Sequence, residues 1–312
     1  MTIRGILNQP PTGIAIVAPS GFAPDADALN TGIVRLQQQG FIVHNYYDHG
    51  ARHQRFGGTD EARVAQLHAA AADPAVKVVM ALRGSYGMTR LLPHIDYQLL
   101  ADSGKLFVGY SDFTALQMAL MQATGHISFA GPMICADFAP AEPDDYTVTE
   151  FFNCLRGPQH RVLGAVADGA SDNPEIKVEG RLWGGNLAML VSLLGTPYFP
   201  TIDDGILFLE DVGEHPYRVE RMLLQLQQAG VLERQRAVVL GEFTAYKLGA
   251  YENGYDFEAM LAYVRATLPL PVLTGLPLGH VRRHTTLPFG GMARLASSAR
   301  GFTLTIGDYP TL

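Results

Sequence analysis

Along the first 130 residues, short and wholly apolar segments alternate with longer segments in which apolar residues recur at helical spacing. Buried strands are predicted at residues 13–20, 41–43, 76–82 and 106–108. A strand that is apolar at every position is covered on both faces, as in a parallel sheet. Residues 25–39 and 61–72 have the spacing of amphipathic helices. This alternation predicts a doubly wound, parallel α/β domain of the flavodoxin- or Rossmann-like class.

Beyond residue 140 the pattern becomes less regular. Prolines and aspartates are frequent between 140 and 174, and residues 164–175 are predicted to be a linker. We therefore expect an N-terminal α/β domain over residues 1–163 and a smaller C-terminal domain over residues 176–312. The C-terminal domain is expected to be mixed α/β and rich in strands.

Within the second half, alternating polarity at residues 176–182 predicts a strand, which the glycine-containing segment 183–186 is expected to break. Further predicted elements are helices at 187–194 and 215–228, buried strands at 205–211 and 237–241, and a terminal hairpin formed by 293–295 and 302–306.

Composition excludes several classes of protein. The 312 residues are 47% hydrophobic and 17% charged, and the net charge of −7 argues against nucleic-acid binding, which depends on Lys and Arg. Only Cys135 and Cys154 are present, so we expect no disulfide framework and a reducing compartment. Residues 1–11 lack the apolar core of a signal peptide, and no apolar run approaches the ~18 residues of a membrane span. These observations predict a cytoplasmic protein that does not bind membranes.

Neither a cofactor nor a metal is indicated by the motifs. The glycine-rich segments 57–58 and 84–87 match neither G-x-G-x-x-G nor a P-loop. His49 and His53 have i, i+4 spacing, but no further ligand pattern completes a metal site. We therefore predict no cofactor and no metal.

A candidate nucleophile lies where the predicted strand 106–108 gives way to a helix. Gly109 permits a sharp turn, and Asp112 and Thr114 can cap the helix that follows. Ser111 is thus expected at a strand–turn–helix corner, which exposes a hydroxyl near free backbone amides. The alternative is that Ser111 only caps the helix that follows.

Two further positions can complete a hydrolytic site with Ser111. Glu210 ends a predicted strand, and His280 follows Gly279 in a turn. A histidine can take the serine proton, and a carboxylate can orient the imidazole. Asp211 and Glu214 compete with Glu210 as the acid. The backbone N–H of Asp112 and the turn at residues 84–85 are candidate oxyanion donors.

The chain resembles the LD-carboxypeptidase family, serine peptidases that act on murein peptides. The matching segments are residues 56–60, 82–87, 90–93, 109–114, 180–187, 209–211, 214–221 and 275–280. They extend over almost the whole chain. Within the family, residues 184–221 are most similar to the cytoplasmic enzymes of Gram-negative bacteria.

This resemblance implies a role for each of the three candidates. Ser111 would be the nucleophile, Glu210 the acid and His280 the base, with oxyanion donors at Asp112, Gly84 and Ser85. The family turn Arg-Gly-Gly-Tyr-Gly has Ser85 in its second glycine position here, which implies modest strain if φ is positive. The implied reaction hydrolyses the bond between an L-diamino acid and a terminal D-alanine in a murein tetrapeptide. The resemblance also implies a homodimer.

Substrate-binding candidates follow from the same segments. An exopeptidase has to hold the terminal carboxylate of its substrate, for which Arg83 and Arg90 are candidates, with Arg282 and Arg283 as weaker ones. The other substrate-binding candidates are Tyr86, Trp183 and Asn186.

Two alternative functions are kept. The first is a microcin-type immunity peptidase that cleaves an aminoacyl-nucleotide, in which Trp183 would provide an aromatic platform for the base. The second is a small-molecule binding protein without catalysis, which the fold alone would allow.

Overall fold

The computed structural model describes residues 12–312, which form two β-sheets with helices packed against them. Residues 1–11, for which no signal peptide is expected, lie outside the described part of the chain. Between residues 12 and 312, no helix combines the length and the hydropathy that crossing a bilayer requires.

The first sheet is the predicted parallel sheet of the N-terminal half. Its strands are β1 (Thr12–Val17), β2 (Phe41–Asn45), β3 (Val76–Ala81), β4 (Leu106–Gly109), β5 (Ser128–Ala130) and β11 (Leu287–Phe289). Their order is β11-β5-β4-β3-β1-β2, and every pair except β11–β5 is parallel. Every residue of β4 is buried, as expected for a strand that is apolar throughout.

Helices cover this sheet and connect its strands. They are α1 (Ala26–Gln38), α2 (Asp60–Ala72), α3 (Met88–Leu91), α4 (Tyr97–Asp102), α5 (Thr114–Thr124) and α6 (Asp145–Arg156). The predictions for α1 and α2 are confirmed to within a residue. Asp25 and Thr59 accept hydrogen bonds from the free amides of their first turns, which explains where these helices begin.

The second sheet combines parallel and antiparallel strands. Its strands are β6 (His160–Ala165), β7 (Lys177–Asn186), β8 (Gly205–Val212), β9 (Gln235–Thr244), β10 (Val272–Thr274), β12 (Met292–Ser298) and β13 (Gly301–Gly307). The order is β10-β9-β8-β7-β12-β13-β6, in which β7 to β10 are parallel and the other neighbours antiparallel. Helices α7 (Leu187–Ser192), α8 (Pro216–Gln228) and α9 (Phe257–Thr267) belong to this half of the chain. The predicted fold class, a parallel sheet followed by a strand-rich mixed sheet, is confirmed.

The chain passes between the two sheets more often than a simple division would require. Strand β6 pairs with β13 of the second sheet, although its first residues fall within the expected N-terminal domain of residues 1–163. Strand β11 pairs with β5 of the first sheet, although it belongs to the C-terminal half. Residues 166–176 contain neither helix nor strand. The division at 164–175 stays a prediction, and the strand pairing changes sheets before His160.

The predicted break at residues 183–186 is wrong, because β7 continues through Asn186. Gly184 and Gly185 have φ values of 138° and 129°, in the region that favours glycine. A methyl group on Gly184 would lie 1.8 Å from the carbonyl oxygen of Phe208. The two glycines therefore let β7 approach β8 closely enough to place Asn186 beside Glu210 in the parallel register.

Several short elements carry too weak a pattern to be predicted. Helix α6, for example, follows a segment rich in proline and aspartate that resembles a loop, and Asp144 caps it by accepting a hydrogen bond from the Thr147 amide. Strands β5 and β6 and helices α4 and α9 were likewise not expected.

Candidate active site

Ser111 lies between β4 and α5, at the carboxyl edge of the first sheet. Its φ of 63° is unusual for a residue other than glycine. Residues 111–113 form a single 3₁₀ turn before α5 begins. The strand–turn–helix corner predicted around Ser111 is therefore present, and it holds the serine in a strained conformation of the kind that is common at functional sites.

Asp112 and Thr114 do not cap α5, contrary to expectation. Asp112 is buried, and its Oδ2 accepts hydrogen bonds from the Ser20 hydroxyl at 2.5 Å and the Met88 amide at 2.8 Å. Thr114 Oγ1 accepts a hydrogen bond from the Asn186 amide of the second sheet at 3.1 Å. Both side chains thus connect the Ser111 turn to other segments, because the tight turn leaves them directed away from the helix start.

Three side chains from separate parts of the fold form one hydrogen-bonded chain. His280 Nε2 lies 3.0 Å from Ser111 Oγ, and His280 Nδ1 lies 2.7 Å from Glu210 Oε2. Glu210 is 1% exposed on β8 of the second sheet. His280 is in the loop between β10 and β11, which connects the two sheets. This geometry is suited to activating a serine, because the imidazole can take the hydroxyl proton and the carboxylate can fix the ring.

Of the competing carboxylates, Glu210 is the one that reaches His280. Asp211 instead accepts hydrogen bonds from the amides of Ala188 and Val212 and from Asn186 Nδ2. Burial raises the pKa of Asp211 to about 6. Glu214 lies 3.7 Å from Arg218 in an i, i+4 pair. Only Glu210 is therefore placed to orient the imidazole.

The environment of His280 shifts its titration upward. Burial lowers the pKa of His280, but the hydrogen bond from His280 to Glu210 and the negative charge of Glu210 outweigh it, and the net pKa is raised above its ordinary value. The neutral form is the one that can accept a proton from Ser111. Any reaction that depends on this step should therefore become faster as the pH rises through the raised pKa.

The turn after β3 faces the serine hydroxyl. A methyl group built on Gly84 would lie 2.7 Å from Ser111 Oγ and 3.6 Å from the Asp112 nitrogen. Ser85 has a φ of 87°, so the strain expected from serine in a glycine position is present. Its hydroxyl accepts a hydrogen bond from Arg55 at 2.8 Å. The absence of a side chain on Gly84 keeps open the space in front of Ser111.

The substrate-binding candidates near this turn differ in whether other protein groups already engage their side chains. Arg90 is engaged with Asp60 at 2.9 Å and lies over the ring of Phe56. Arg83 makes only a long hydrogen bond, 3.4 Å to the carbonyl of Phe22, and within residues 12–312 it has no ion-pair partner. Tyr86 is 43% exposed.

Trp183 and Asn186, two of the substrate-binding candidates, are buried and hydrogen-bonded within the protein. Trp183 is completely buried, and its indole Nε1–H donates to Gln235 at 2.8 Å. Asn186 is also buried, and its amide donates to Glu210 at 3.3 Å and to Asp211 at 2.9 Å. Because β7 does not break, both residues belong to the sheet, and Asn186 positions the carboxylates.

Arg282 and Arg283, the weaker carboxylate candidates, lie on the loop that carries His280. Arg282 donates to the carbonyl of Glu142 at 2.7 Å, and the guanidinium of Arg283 lies over the ring of Tyr146. Both cations are directed toward α6 and the segment before it.

Two features beside the hydrogen-bonded chain escaped sequence reasoning. The Asp112 carboxylate connects the Ser111 turn to Ser20, which is 92 residues away. His284 lies four residues after His280 and is paired with Asp137 at 3.0 Å. The i, i+4 spacing of the two histidines was the available signal, but nothing in the sequence places Asp137 beside them.

The histidines considered for a metal do not form such a site. His49 Nδ1 lies 2.9 Å from the Tyr47 hydroxyl. In the part of the chain that the structure describes, no three histidine, cysteine or acidic side chains are grouped as metal ligands.

Comparison with known proteins assigns the family. The model of the LD-carboxypeptidase N-terminal domain matches residues 14–131, and the model of the LD-carboxypeptidase C-terminal domain matches residues 179–295. The chain belongs to the LD-carboxypeptidase family. This LD-carboxypeptidase is therefore a hydrolase, a serine-type carboxypeptidase.

Individual relatives support the assignment. The crystal structure of muramoyltetrapeptide carboxypeptidase from Oxalobacter formigenes is 51% identical to this LD-carboxypeptidase, with a TM-score of 0.91 over 96% of this chain and 100% of the other. The murein tetrapeptide carboxypeptidase of Pseudomonas aeruginosa is 31% identical over 92% of this chain and 94% of its own length.

A further structural neighbour is MccF, solved in complex with glutamyl sulfamoyl guanosine. It has a TM-score of 0.85 and 23% identity, over 97% of this chain and 98% of its own. At that identity the likeness shows only a shared fold with the LD-carboxypeptidase.

Proposed function

We propose that this LD-carboxypeptidase removes the terminal D-alanine from murein tetrapeptides by hydrolysing its bond to an L-diamino acid. The observation that carries the proposal is the continuous hydrogen-bonded chain from Ser111 through His280 to Glu210. The relative from Oxalobacter formigenes, whose name states that it acts on a muramoyltetrapeptide, supports the substrate class.

The proposed reaction begins with attack by Ser111 Oγ on the carbonyl carbon of the diamino acid. His280 Nε2 accepts the hydroxyl proton, and Glu210 stabilises the resulting imidazolium through Nδ1–H. The oxyanion forms beside the backbone amides of Asp112 and of the turn at Gly84 and Ser85, which are the proposed donors.

Collapse of the tetrahedral intermediate breaks the peptide bond. His280 returns its proton to the departing amine of D-alanine, which leaves an ester between Ser111 and the tripeptide. A water molecule then transfers a proton to His280 and attacks the ester. Hydrolysis releases the tripeptide and restores the Ser111 hydroxyl.

The state of the cysteines supports a cytoplasmic role in the recycling of murein peptides. Both cysteines are free, and burial raises the pKa of Cys135 to about 11, which keeps its thiol protonated and unreactive. The net charge of −7 supports a small-molecule substrate rather than nucleic acid.

A homodimer is proposed from the family resemblance, and light scattering on the purified protein would test it.

The proposal is tested by incubating the protein with a murein tetrapeptide and measuring free D-alanine with D-amino acid oxidase. Release of D-alanine and formation of the tripeptide are expected. A tetrapeptide that ends in L-alanine is the matched control and should be a poor substrate. Absence of D-alanine release would contradict the proposal.

The aminoacyl-nucleotide alternative is tested by running the assay in parallel with a glutamyl-nucleotide analogue as the substrate. The aromatic platform that it requires has no support from Trp183, which is fully buried. Cleavage of a glutamyl-nucleotide analogue without release of D-alanine would favour this alternative over the murein substrate.

We propose that Arg83 binds the terminal carboxylate of the substrate, because it is adjacent to Gly84 and its guanidinium lacks an ionic partner in the described region. Arg83→Gln should raise KM for the tetrapeptide about 10- to 100-fold with little change in kcat, since a charged hydrogen bond is lost. Arg90→Gln is the matched control and should have a much smaller effect.

A tetrapeptide with a terminal carboxamide makes the Arg83 test specific. The wild type should bind this amide poorly, and Arg83→Gln should no longer discriminate between amide and acid. Equal discrimination by both proteins would contradict the assignment of Arg83.

Gly84→Ala should lower the rate at which a fluorophosphonate labels Ser111 by about 100-fold, comparable to the loss of an oxyanion donor. The added methyl group would lie 2.7 Å from Ser111 Oγ, where the reacting group must approach. Gly249→Ala is a suitable control, because nothing lies within 4 Å of the position of its methyl group. Labelling at the wild-type rate by Gly84→Ala would show that the turn does not line the reaction space.

A further inference from the structure

A second imidazole–carboxylate pair is buried beside the proposed catalytic histidine. His284 is 1% exposed, and its Nε2 lies 3.0 Å from Asp137 Oδ1. Its Nδ1 lies 3.1 Å from the carbonyl oxygen of Thr285. The reaction proposed above uses neither His284 nor Asp137, so a buried pair of this kind requires its own explanation.

The partners of His284 determine how many protons its ring carries. The Thr285 carbonyl can only accept a hydrogen bond, so Nδ1 must carry a hydrogen. The Oδ2 atom of Asp137 accepts a hydrogen bond from the Met133 amide at 2.7 Å. A proton on Nε2 then satisfies Asp137 Oδ1. Burial lowers the pKa of His284, but the charge and hydrogen bond of Asp137 outweigh it and raise the net pKa. Both ring nitrogens of His284 face hydrogen-bond acceptors, an arrangement that favours the imidazolium.

Tyr110 connects this pair to the reaction site. The centroid of its ring is 5.3 Å from that of His284 and 5.1 Å from that of His280. Tyr110 also directly precedes Ser111, whose backbone is held at a positive φ. Two imidazoles of one loop, those of His280 and His284, therefore pack against Tyr110, the residue before the proposed nucleophile. This packing couples the turn at Ser111 to the loop that carries His280.

The loop is itself held firmly at His284. The His284 amide donates to Thr147 Oγ1 on α6 at 2.9 Å, and that hydroxyl donates to the carbonyl of Arg282 at 2.8 Å. The Thr285 amide donates to the carbonyl of Pro277 at 2.7 Å, which closes the loop around His280. His284 is therefore a fixed point from which the position of His280 is set.

We propose that His284 is a positioning residue for His280: with Asp137 it holds a positive charge against Tyr110, which aligns the catalytic imidazole with Ser111 and opposes its protonation. The inference rests on the proposed function of Ser111, His280 and Glu210. The titratable groups that face the two imidazoles are Glu210 and Asp211 on β8, Tyr110 after β4, Asp137 after β5, and, near Thr285, Glu150 on α6.

The charge of His284 changes the pKa of His280 in a definite direction. A positive charge at His284 lowers the pKa of His280 and so opposes the larger, upward effect of Glu210. Without that charge His280 would stay protonated to a higher pH. The acid limb of any rate that requires neutral His280 should therefore move to higher pH when His284 is neutralised.

The test measures the pH dependence of Ser111 labelling by a fluorophosphonate in three variants. In His284→Gln, the amide can still donate to Asp137 but carries no charge. We expect its acid limb to move up by roughly 0.5 to 1 pH unit and its plateau rate to fall about tenfold. In the double variant His284→Gln/Asp137→Asn the limb should return toward the wild-type value, because the unpaired negative charge is also removed.

The third variant, His126→Gln, is the matched control. His126 is a partly buried histidine that packs against Phe107 and hydrogen-bonds to the carbonyl of Lys105. The acid limb of the labelling profile of His126→Gln should stay at the wild-type pH. If His284→Gln lowers the plateau without moving the limb, or changes neither, His284 only packs and the inference is overturned.

If His284→Gln does not fold, NMR of the histidine rings in the wild-type protein provides the test. In the wild type, both ring nitrogens of His284 should still carry protons at a pH just above the ordinary pKa of histidine, and a neutral ring there would overturn the inference. The labelling assay needs no murein peptide, so labelling of Ser111 without D-alanine release would contradict the proposed substrate alone. If Ser111 is not labelled, the proposed nucleophile fails, and the titration of His280 by NMR in wild type and His284→Gln still decides the role of His284.

Discussion

Ser111→Ala is expected to reduce D-alanine release from a murein tetrapeptide by about 10⁴- to 10⁶-fold, because the covalent intermediate can no longer form. The remaining rate would come from substrate binding and from the amides near Gly84 and Asp112. Release is measured at the pH optimum of the wild type, and mass spectrometry confirms that the tripeptide is the second product.

The control for this prediction is Ser128→Ala. Ser128 is a buried serine in the same sheet, and its hydroxyl has no hydrogen-bond partner among the described residues. This control should keep most of the activity. Because alanine can occupy the Ser111 position with little change in volume, Ser111→Ala should unfold at nearly the wild-type temperature. Comparable D-alanine release by Ser111→Ala and wild type would contradict the assignment of the nucleophile.

Glu210→Gln is expected to lower kcat by about 10³- to 10⁴-fold. The carboxylate accepts a hydrogen bond from His280 Nδ1 at 2.7 Å, and an amide nitrogen in its place would donate to the ring and favour the wrong tautomer. Asn186 Nδ2 already donates to Glu210 Oε1 at 3.3 Å, so the amide oxygen of the variant would turn toward Asn186 and its nitrogen toward His280. Steady-state kinetics on the tetrapeptide provide the measurement.

Glu214→Gln is the matched control for Glu210→Gln. Glu214 was a competing candidate from the sequence, but it forms only an i, i+4 pair with the exposed Arg218, and solvent screens such a pair strongly. Its removal should change kcat less than twofold. A large loss in Glu214→Gln, with activity retained in Glu210→Gln, would show that the acid has been misassigned.

Local patterns in the sequence determined much of the architecture. The wholly apolar segments predicted the buried strands of the first sheet, and helical spacing predicted α1 and α2 to within a residue at each end, because both patterns depend on neighbours within a few residues. Ser111 was recognisable for the same reason, since strand, glycine and helix formers follow one another directly around it.

Other features depended on partners distant in sequence. The glycines at 184 and 185 resembled a strand break, yet they extend β7, because β8 approaches them too closely for any side chain. That extension buries Trp183 and places Asn186 beside Glu210, which no local pattern predicted. The pairing of β6 and β11 with opposite sheets likewise has no local signature.

The sequence by itself determined the residue types available for chemistry, the buried strands and, through the family resemblance, the identity of the candidate nucleophile, acid and base. Only the tertiary structure decided which carboxylate reaches His280, that Arg90 but not Arg83 forms an ion pair, and that His284 and Asp137 share the surroundings of Tyr110. The physical reason is that hydrogen bonds and charge interactions act over a few ångströms in space, whereas Ser111, Glu210 and His280 are separated by as many as 169 residues of chain.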